Sequence, residues 1–472
     1  MGINQNLFGP SNELVKYLGF NNCIGLSIRL SLAASSSTSN NIGNRKTRGR
    51  PVKYRFSEND ILPLRLTSVD TQSDENDKFT RILPGDPIYI CNECKARVWK
   101  DEAMRGNKTF QKKVYSICCL NGKVEIPNLH YPPEYLLDLY KGQSDKSKNF
   151  IENIRRYNMM FSFTSIGGKI DHKINSGRGP YVYRMYGQNY HLVGSLLPED
   201  GHNAKFLQLY IYDTANESEN RITAYGSRNI SSNPYSIEFG TVHELQGLLD
   251  SVNPLVQMFR MARDRYEFNQ AEPIRIKLIG RTDKDGRTYN LPTADEVAAL
   301  IVGDLDGTTD KRDIILETKS KQLQRISELH VRYLALQYPL LFPYAEDGYR
   351  TDVYHKGVES PDDPGHIHLT IREFFAYRLQ SRVGEVSLIL FSRKLLQQFI
   401  VDAYTMVENT RLNYLRNNQK ILRASSLTHL YDAQDSCSSN VSDIGNRVVL
   451  PSSFTRGARY MRENYLDAMA IV

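Results

Sequence analysis

Four of the six cysteines fall within a 29-residue stretch, and that spacing suggests metal chemistry. Cys91-Asn92-Glu93-Cys94 has the two-residue gap that lets two thiolates converge on one ion, and the adjacent pair Cys118-Cys119 follows after 23 residues. Four thiolates give a tetrahedral structural zinc site. Adjacent cysteines are a less usual half-site than spaced ones. The alternative ligand set therefore takes one of Cys118 and Cys119, with His130 as the fourth ligand. A further alternative is a group of buried free thiols packed around Trp99, the only tryptophan. A disulfide framework does not suit a 472-residue chain in which no signal peptide is evident, so a reducing compartment is expected.

A second chemistry is polyanion binding. The net charge is only +7, but it is unevenly spread. Residues 1–60 hold eight basic and three acidic side chains, and residues 370–425 hold nine and four, so these two windows exceed the whole net charge. In the first, Arg48-Gly49-Arg50-Pro51 with Arg45, Lys46 and Lys53 resembles an AT-hook, whose slim Arg-Gly-Arg core fits a narrow A·T minor groove. A nuclear-localisation string or a plain basic tail is the other reading. In the second, Arg393, Lys394, Arg411, Arg416 and Lys420 are candidate phosphate contacts. The partner expected from both windows is DNA, single-stranded or A·T-rich duplex, and the expected location is the nucleus.

Two other patterns imitate catalytic motifs. His366-Ile367-His368 has the alternation by which two strand histidines share a metal, but its surroundings read as a linker, so solvent-exposed loop histidines are expected. Gly167-Gly168-Lys169-Ile170 lacks the first glycine of a phosphate-binding loop and has no hydroxyl where magnesium would be held, so no nucleotide is expected.

The elements that would position these residues can be read in outline. No apolar run reaches the roughly 18–20 residues of a membrane span. The stretch Cys23–Ala34 is Ser-rich and carries Arg29, but Glu13 and the lack of a clean amphipathic pattern argue against a transit peptide. Residues 1–85 read as a disordered basic segment and 86–130 as a Cys-rich zinc module. Residues 131–345 read as a mixed α+β domain, 346–369 as a linker, and 370–472 as a helical block. The fold class is α+β. Pro132-Pro133-Glu134 opens a helix. Phe206–Tyr212 reads as a strand, and Ile274, Ile276 and Leu278 alternate as a half-buried one. Thr293-Ala294-Asp295-Glu296 is a capping box ahead of a helix through Ile301. Leu396, Phe399, Ile400, Ala403 and Val407 recur at helical spacing.

Several blocks together resemble the Helitron helicase-like proteins of plants. They include Tyr333-Leu334-Ala335-Leu336-Gln337-Tyr338-Pro339-Leu340-Leu341-Phe342-Pro343-Tyr344, Glu346-Asp347-Gly348-Tyr349, Arg372-Glu373-Phe374-Phe375-Ala376-Tyr377-Arg378-Leu379-Gln380, Leu450-Pro451-Ser452-Ser453-Phe454-Thr455 and Asp467-Ala468-Met469-Ala470-Ile471. The resemblance runs from about residue 86 to the end. It departs where the family favours Gly, at Ala345 and Arg456, and Pro, at Val331 and Ala458. These changes touch turn geometry and hint at a decaying or host-captured copy. The family nicks and rejoins single-stranded DNA through a His-hydrophobe-His metal site and a tyrosine, which begin just after the Asp-Ala-Met-Ala-Ile segment, and a helicase domain follows. The resemblance thus implies the non-catalytic N-terminal region of a Helitron-type transposase, truncated before the nuclease motifs. The rivals are an intact single-strand nuclease using His366 and His368, and a non-functional or domesticated remnant acting as a scaffold.

Overall fold

The computed structural model describes residues 2–5, 87–104, 114–170, 183–225, 237–269, 274–280, 284–302, 313–318, 323–358, 367–418, 450, 454 and 458–471. Helices and small antiparallel sheets make an α+β fold. The strands are β1 (Gly2–Gln5), β2 (Tyr89–Ile90), β3 (Arg97–Val98), β4 (Ser165–Ile170), β5 (Tyr183–Val193), β6 (Ile274–Leu278), β7 (Ala298–Val302), β8 (Ile314–Glu317) and β9 (Gln324–Ile326). The helices are α1 (Glu134–Lys141), α2 (Asp145–Glu152), α3 (Ile154–Phe161), α4 (Glu217–Tyr225), α5 (Phe239–Val252), α6 (Pro254–Phe268), α7 (Ala294–Val297), α8 (Tyr333–Gln337), α9 (Ile371–Arg378), α10 (Leu388–Phe391), α11 (Lys394–Asn417) and α12 (Ala458–Ile471).

Local chemistry accounts for many boundaries. Asn253 caps α6 by accepting from the Leu255 and Val256 amides at 3.0 and 3.2 Å, with Pro254 at the first helical position. Thr370 and Glu373 close a reciprocal box on α9, at 3.2 and 2.9 Å. β5 is the centre of the larger sheet, pairing with β1, β4 and β9. Gly167 on β4 has to be glycine, because a Cβ there would lie 2.3 Å from the Tyr190 ring. The alternation at 274–278 is a strand with Ile274, Ile276 and Leu278 buried, flanked by β7 and β8.

Three expectations are corrected. Phe206–Tyr210 is a 3-10 helix, not a strand: Phe206 has φ 54°, and Tyr212 is exposed. Only half of the Thr293 box forms, the Thr293 amide donating to Glu296 at 3.0 Å while the Thr293 hydroxyl caps no amide, and the helix stops at Val297. Ala298–Val302 becomes a strand because β6 offers it a full antiparallel partner, and pairing outweighs local helical preference. The supposed linker is also packed over 346–358: Glu346, Asp347, Tyr349, Arg350, Val353 and His355 are all buried. Most of its charges enter the interior paired, while Glu346 accepts the Tyr344 amide at 3.2 Å and burial pushes its carboxyl up to about 7. Asp347 accepts from Arg332, Arg350 chelates Asp352 at 2.6 Å, and His355 donates to Glu373 at 3.1 Å.

Buried side chains from Cys91 to Met406 form one contiguous core. Its hub is the Tyr333–Tyr344 block, whose carbonyls receive side chains from the helices around it. The Asn158 amide donates to Gln337 O at 2.8 Å, and the Tyr140 hydroxyl to Leu340 O at 3.1 Å. Gly348 follows from the same packing, because a Cβ would sit 2.8 Å from Val331 O. Ala345, where the resembled family has glycine, is fully buried with φ 51°. The left-handed region costs an L side chain about 1–2 kcal/mol. Ala345→Gly is therefore expected to raise the thermal midpoint by about 2 °C. A lower midpoint in a calorimetric scan would mean that the lost methyl packing outweighs the strain.

Candidate metal centre

The hairpin β2–β3 presents the first cysteine pair. The Cys91 amide donates to Ala96 O at 2.8 Å, and the Lys95 amide to Cys91 O at 3.1 Å. Lys95 turns the chain back with φ 60°, and its ammonium donates to Asn92 O at 2.7 Å. This tight knuckle points both sulfurs to one side. The second pair needs a different device, since successive residues ordinarily diverge. Here Leu120, Asn121 and Gly122 are all left-handed, with φ 49°, 55° and 85°. The loop is held by the Leu120 amide on Ser116 O at 2.8 Å and the Val124 amide on Cys119 O at 3.0 Å. Asn-Gly is a sequence signal for such backbone. Read with Cys118-Cys119, it marks a second knuckle.

All four sulfurs lie within 4.8 Å of one another. Cys91 to Cys119 and Cys118 to Cys119 are each 3.8 Å. A tetrahedral zinc with Zn–S bonds of about 2.3 Å spaces its sulfurs by about 3.8 Å. The Gly122 amide donates to Cys119 Sγ at 3.2 Å, the kind of N–H···S contact that favours a thiolate. Cys91, Cys118 and Cys119 are buried and Cys94 is half-buried. Hydrogen bonds from Cys118 and Cys119 hold the Cys91 thiol far below its ordinary range. Cys94 is lowered to about 7, first by Cys118 and then by Cys119. Cys118, chiefly through its bond to Cys119, is pushed up. This donor set fits zinc, with Cys91, Cys94, Cys118 and Cys119 as the ligands.

Both adjacent cysteines enter the cluster, which corrects the alternative with His130. That residue is exposed, lies 3.3 Å from Tyr131 O and sits edge-on to the Tyr344 ring at 4.7 Å. His368 differs from the expected solvent-exposed loop residue. It is half-buried, bridges Tyr354 and lies 4.4 Å from that ring, while His366 is outside the described residues. Gly167-Gly168-Lys169-Ile170 lies on β4.

The basic residues are distributed differently. Arg48, Arg50, Lys53 and Lys420 lie outside the described residues. Arg393, Lys394, Arg411 and Arg416 are all exposed, at the two ends of α11. Arg411 also sits 5.0 Å over the Phe454 ring, and Arg416 donates to Asn413 at 3.0 Å. None of them approaches the cysteine cluster in sequence.

One polar group was not foreseen. His191 on β5 donates through Nε2 to Asp402 on α11 at 2.7 Å. Asp402 also accepts from the Tyr338 hydroxyl at 3.1 Å and the Asn189 amide at 3.3 Å, and His191 stacks on Tyr333 at 3.9 Å. His191 is completely buried and Asp402 nearly so, so the group is a lock between sheet and helix. No signal in the sequence links residues 211 apart.

Residues 374–472 match the family described as the Helitron helicase-like domain at N-terminus. The match begins within α9 and takes in α11 and α12. No curated protein matches the chain.

Proposed function

We propose, from a chain whose residues 374–472 match the Helitron helicase-like N-terminal domain, that it is the DNA-binding, non-catalytic N-terminal region of a Helitron-type transposase. It works in the nucleus with its Cys module folded around zinc. The observation that carries the DNA-binding reading is the exposed basic set on α11, inside the matched segment. Arg393, the residue before the first helical turn, and Arg411 lie about 27 Å apart along the helix. Lys394 and Arg416 lie about 33 Å apart and within roughly 40° of each other around the axis. Two cation pairs at this separation suit phosphates about one duplex turn, roughly 34 Å, apart. The Arg48-Gly49-Arg50 string adds A·T preference.

DNA affinity should then fall steeply with salt, with a log–log slope near −4 to −5 for about five phosphate contacts on duplex. Replacing Arg393, Lys394, Arg411 and Arg416 together by Gln should flatten the slope by about 3–4. Deleting residues 1–60 should remove the A·T preference. An unchanged slope in the fourfold variant would refute the α11 assignment. No retention of either DNA form by the full chain at about 50 mM salt would replace DNA binding with the scaffold reading. The rival nuclease reading predicts metal-dependent nicking that disappears when His366 and His368 become Ala. His368 is engaged by Tyr354, and we expect no nicking.

A further inference from the structure

The last turns of α11 leave the core. Earlier in the helix Leu395, Phe399, Ile400, Ala403 and Met406 are buried, whereas from 411 to 418 only Leu415 is. Tyr414 is 58% exposed there. Its carbonyl accepts from the Asn418 amide and side chain at 3.0 and 2.9 Å, but its ring and hydroxyl have no partner among the described residues. Arg411, also exposed, precedes it by three residues and so stands about one turn away on the same side. The same pair recurs on α12, where Arg462 is exposed and Tyr465, three residues on, is 63% exposed. Asp467 is two residues from Tyr465 and does not face it.

An arginine in this position can cover the ring that follows it. Arg265 does so at Phe268, 5.8 Å from the ring centroid. At Tyr414 the arginine is turned elsewhere: the Arg411 guanidinium lies 5.0 Å over Phe454, four residues before α12 begins. Among the described residues no cation lies over Tyr414 or Tyr465, so both aromatic faces stay open. The contact at Phe454 also brings the start of α12 close to the end of α11. An open aromatic face beside a cation fits one nucleotide, with the ring taking the base and the cation the phosphate. Only an unpaired base has a free face to offer, because in a duplex each base is covered by its neighbours above and below.

We propose that Tyr414 and Tyr465 are base-stacking residues, so that the DNA held along α11 is a duplex continuing into a single strand. This rests on the α11 reading of DNA binding. The cations toward the start of α11 hold duplex phosphates, and Arg411 stands where the strand opens. The two rings take bases of any sequence, since every base has a π-face.

The test uses the full chain and two DNAs, a blunt duplex and the same duplex with a single-stranded extension. Wild type should bind the extended duplex about ten-fold or more tighter than the blunt one. Tyr414→Ala combined with Tyr465→Ala should abolish that preference and leave affinity for the blunt duplex within about two-fold. The salt slope on the extended duplex should not change, because stacking releases no counterions. Phe at both positions should retain the preference, and Phe268→Ala, outside the matched segment, should leave it intact. Equal binding of the two DNAs by wild type overturns the proposal while the α11 reading stands. So does a preference that survives the double Ala variant, or a flattened slope in that variant, which marks lost phosphate contacts instead of lost stacking. If wild type binds neither DNA, the DNA-binding reading itself falls and the proposal falls with it, an outcome recognisable without any variant.

Discussion

Stripping zinc from the chain with a strong chelator is expected to unfold residues 89–126 locally while the sheet around β5 stays protected. Structural zinc on thiolates contributes on the order of 10–16 kcal/mol in small modules. Two short strands and an irregular loop cannot replace that from their own burial. Cys91→Ser should have the same effect as the chelator, because Cys91 lies 3.8 Å from Cys119 at the heart of the group. The direction with pH follows from the ligands. Thiols must lose their protons to bind, so occupancy is complete at neutral pH and is lost as pH falls. Metal analysis, with hydrogen exchange read separately over 89–126 and 183–193, checks this. Purified wild type without zinc, or exchange unaltered by the chelator, would defeat it.

Asp402→Ala should cost about 3–4 kcal/mol. One buried carboxylate receives His191, Tyr338 and Asn189; its removal takes the acceptor from the buried His191 and Tyr338 donors, while the half-buried Asn189 amide keeps the Thr405 hydroxyl at 3.3 Å. Asp402→Asn keeps one acceptor oxygen and should lose roughly half as much. The urea midpoint of the transition that melts α11 is the measurement. A loss below about 1 kcal/mol would show that water takes over the donors and that the lock is not what fastens the helix to the sheet.

What could be read from the sequence follows a physical division. Patterns carried by neighbouring residues were legible: the Cys91–Cys94 knuckle, the alternation at 274–278, the Glu296 half of the Thr293 box and the helical spacing of Leu396, Phe399, Ile400 and Ala403. Features decided by distant partners were not. Ala298–Val302 turned to strand because β6 lay beside it. The Asp- and Gly-rich stretch after Glu346 looked solvated, but Arg332 and Arg350 neutralise it inside the core. At the candidate site the ligand types were visible. The convergence of two adjacent cysteines stood in the sequence as one of two ligand sets, and the left-handed run that achieves it was signalled by Asn121-Gly122 but not by Leu120. The pairing of Ala96 with Arg382 gave no signal at all, as it joins segments far apart in the chain.

The distance between His191 and Asp402 along the chain has a consequence for synthesis. The two are 211 residues apart, and a ribosome adds about 5–20 residues per second. For about 10–40 s after β5 emerges, its histidine has no carboxylate to meet, and the pocket that α11 will fill stands open. The nascent chain therefore cannot complete its core sequentially from the amino end. It must carry β5 unfinished until Asp402 leaves the exit tunnel, an interval in which a holding chaperone is the natural guardian of the exposed strand.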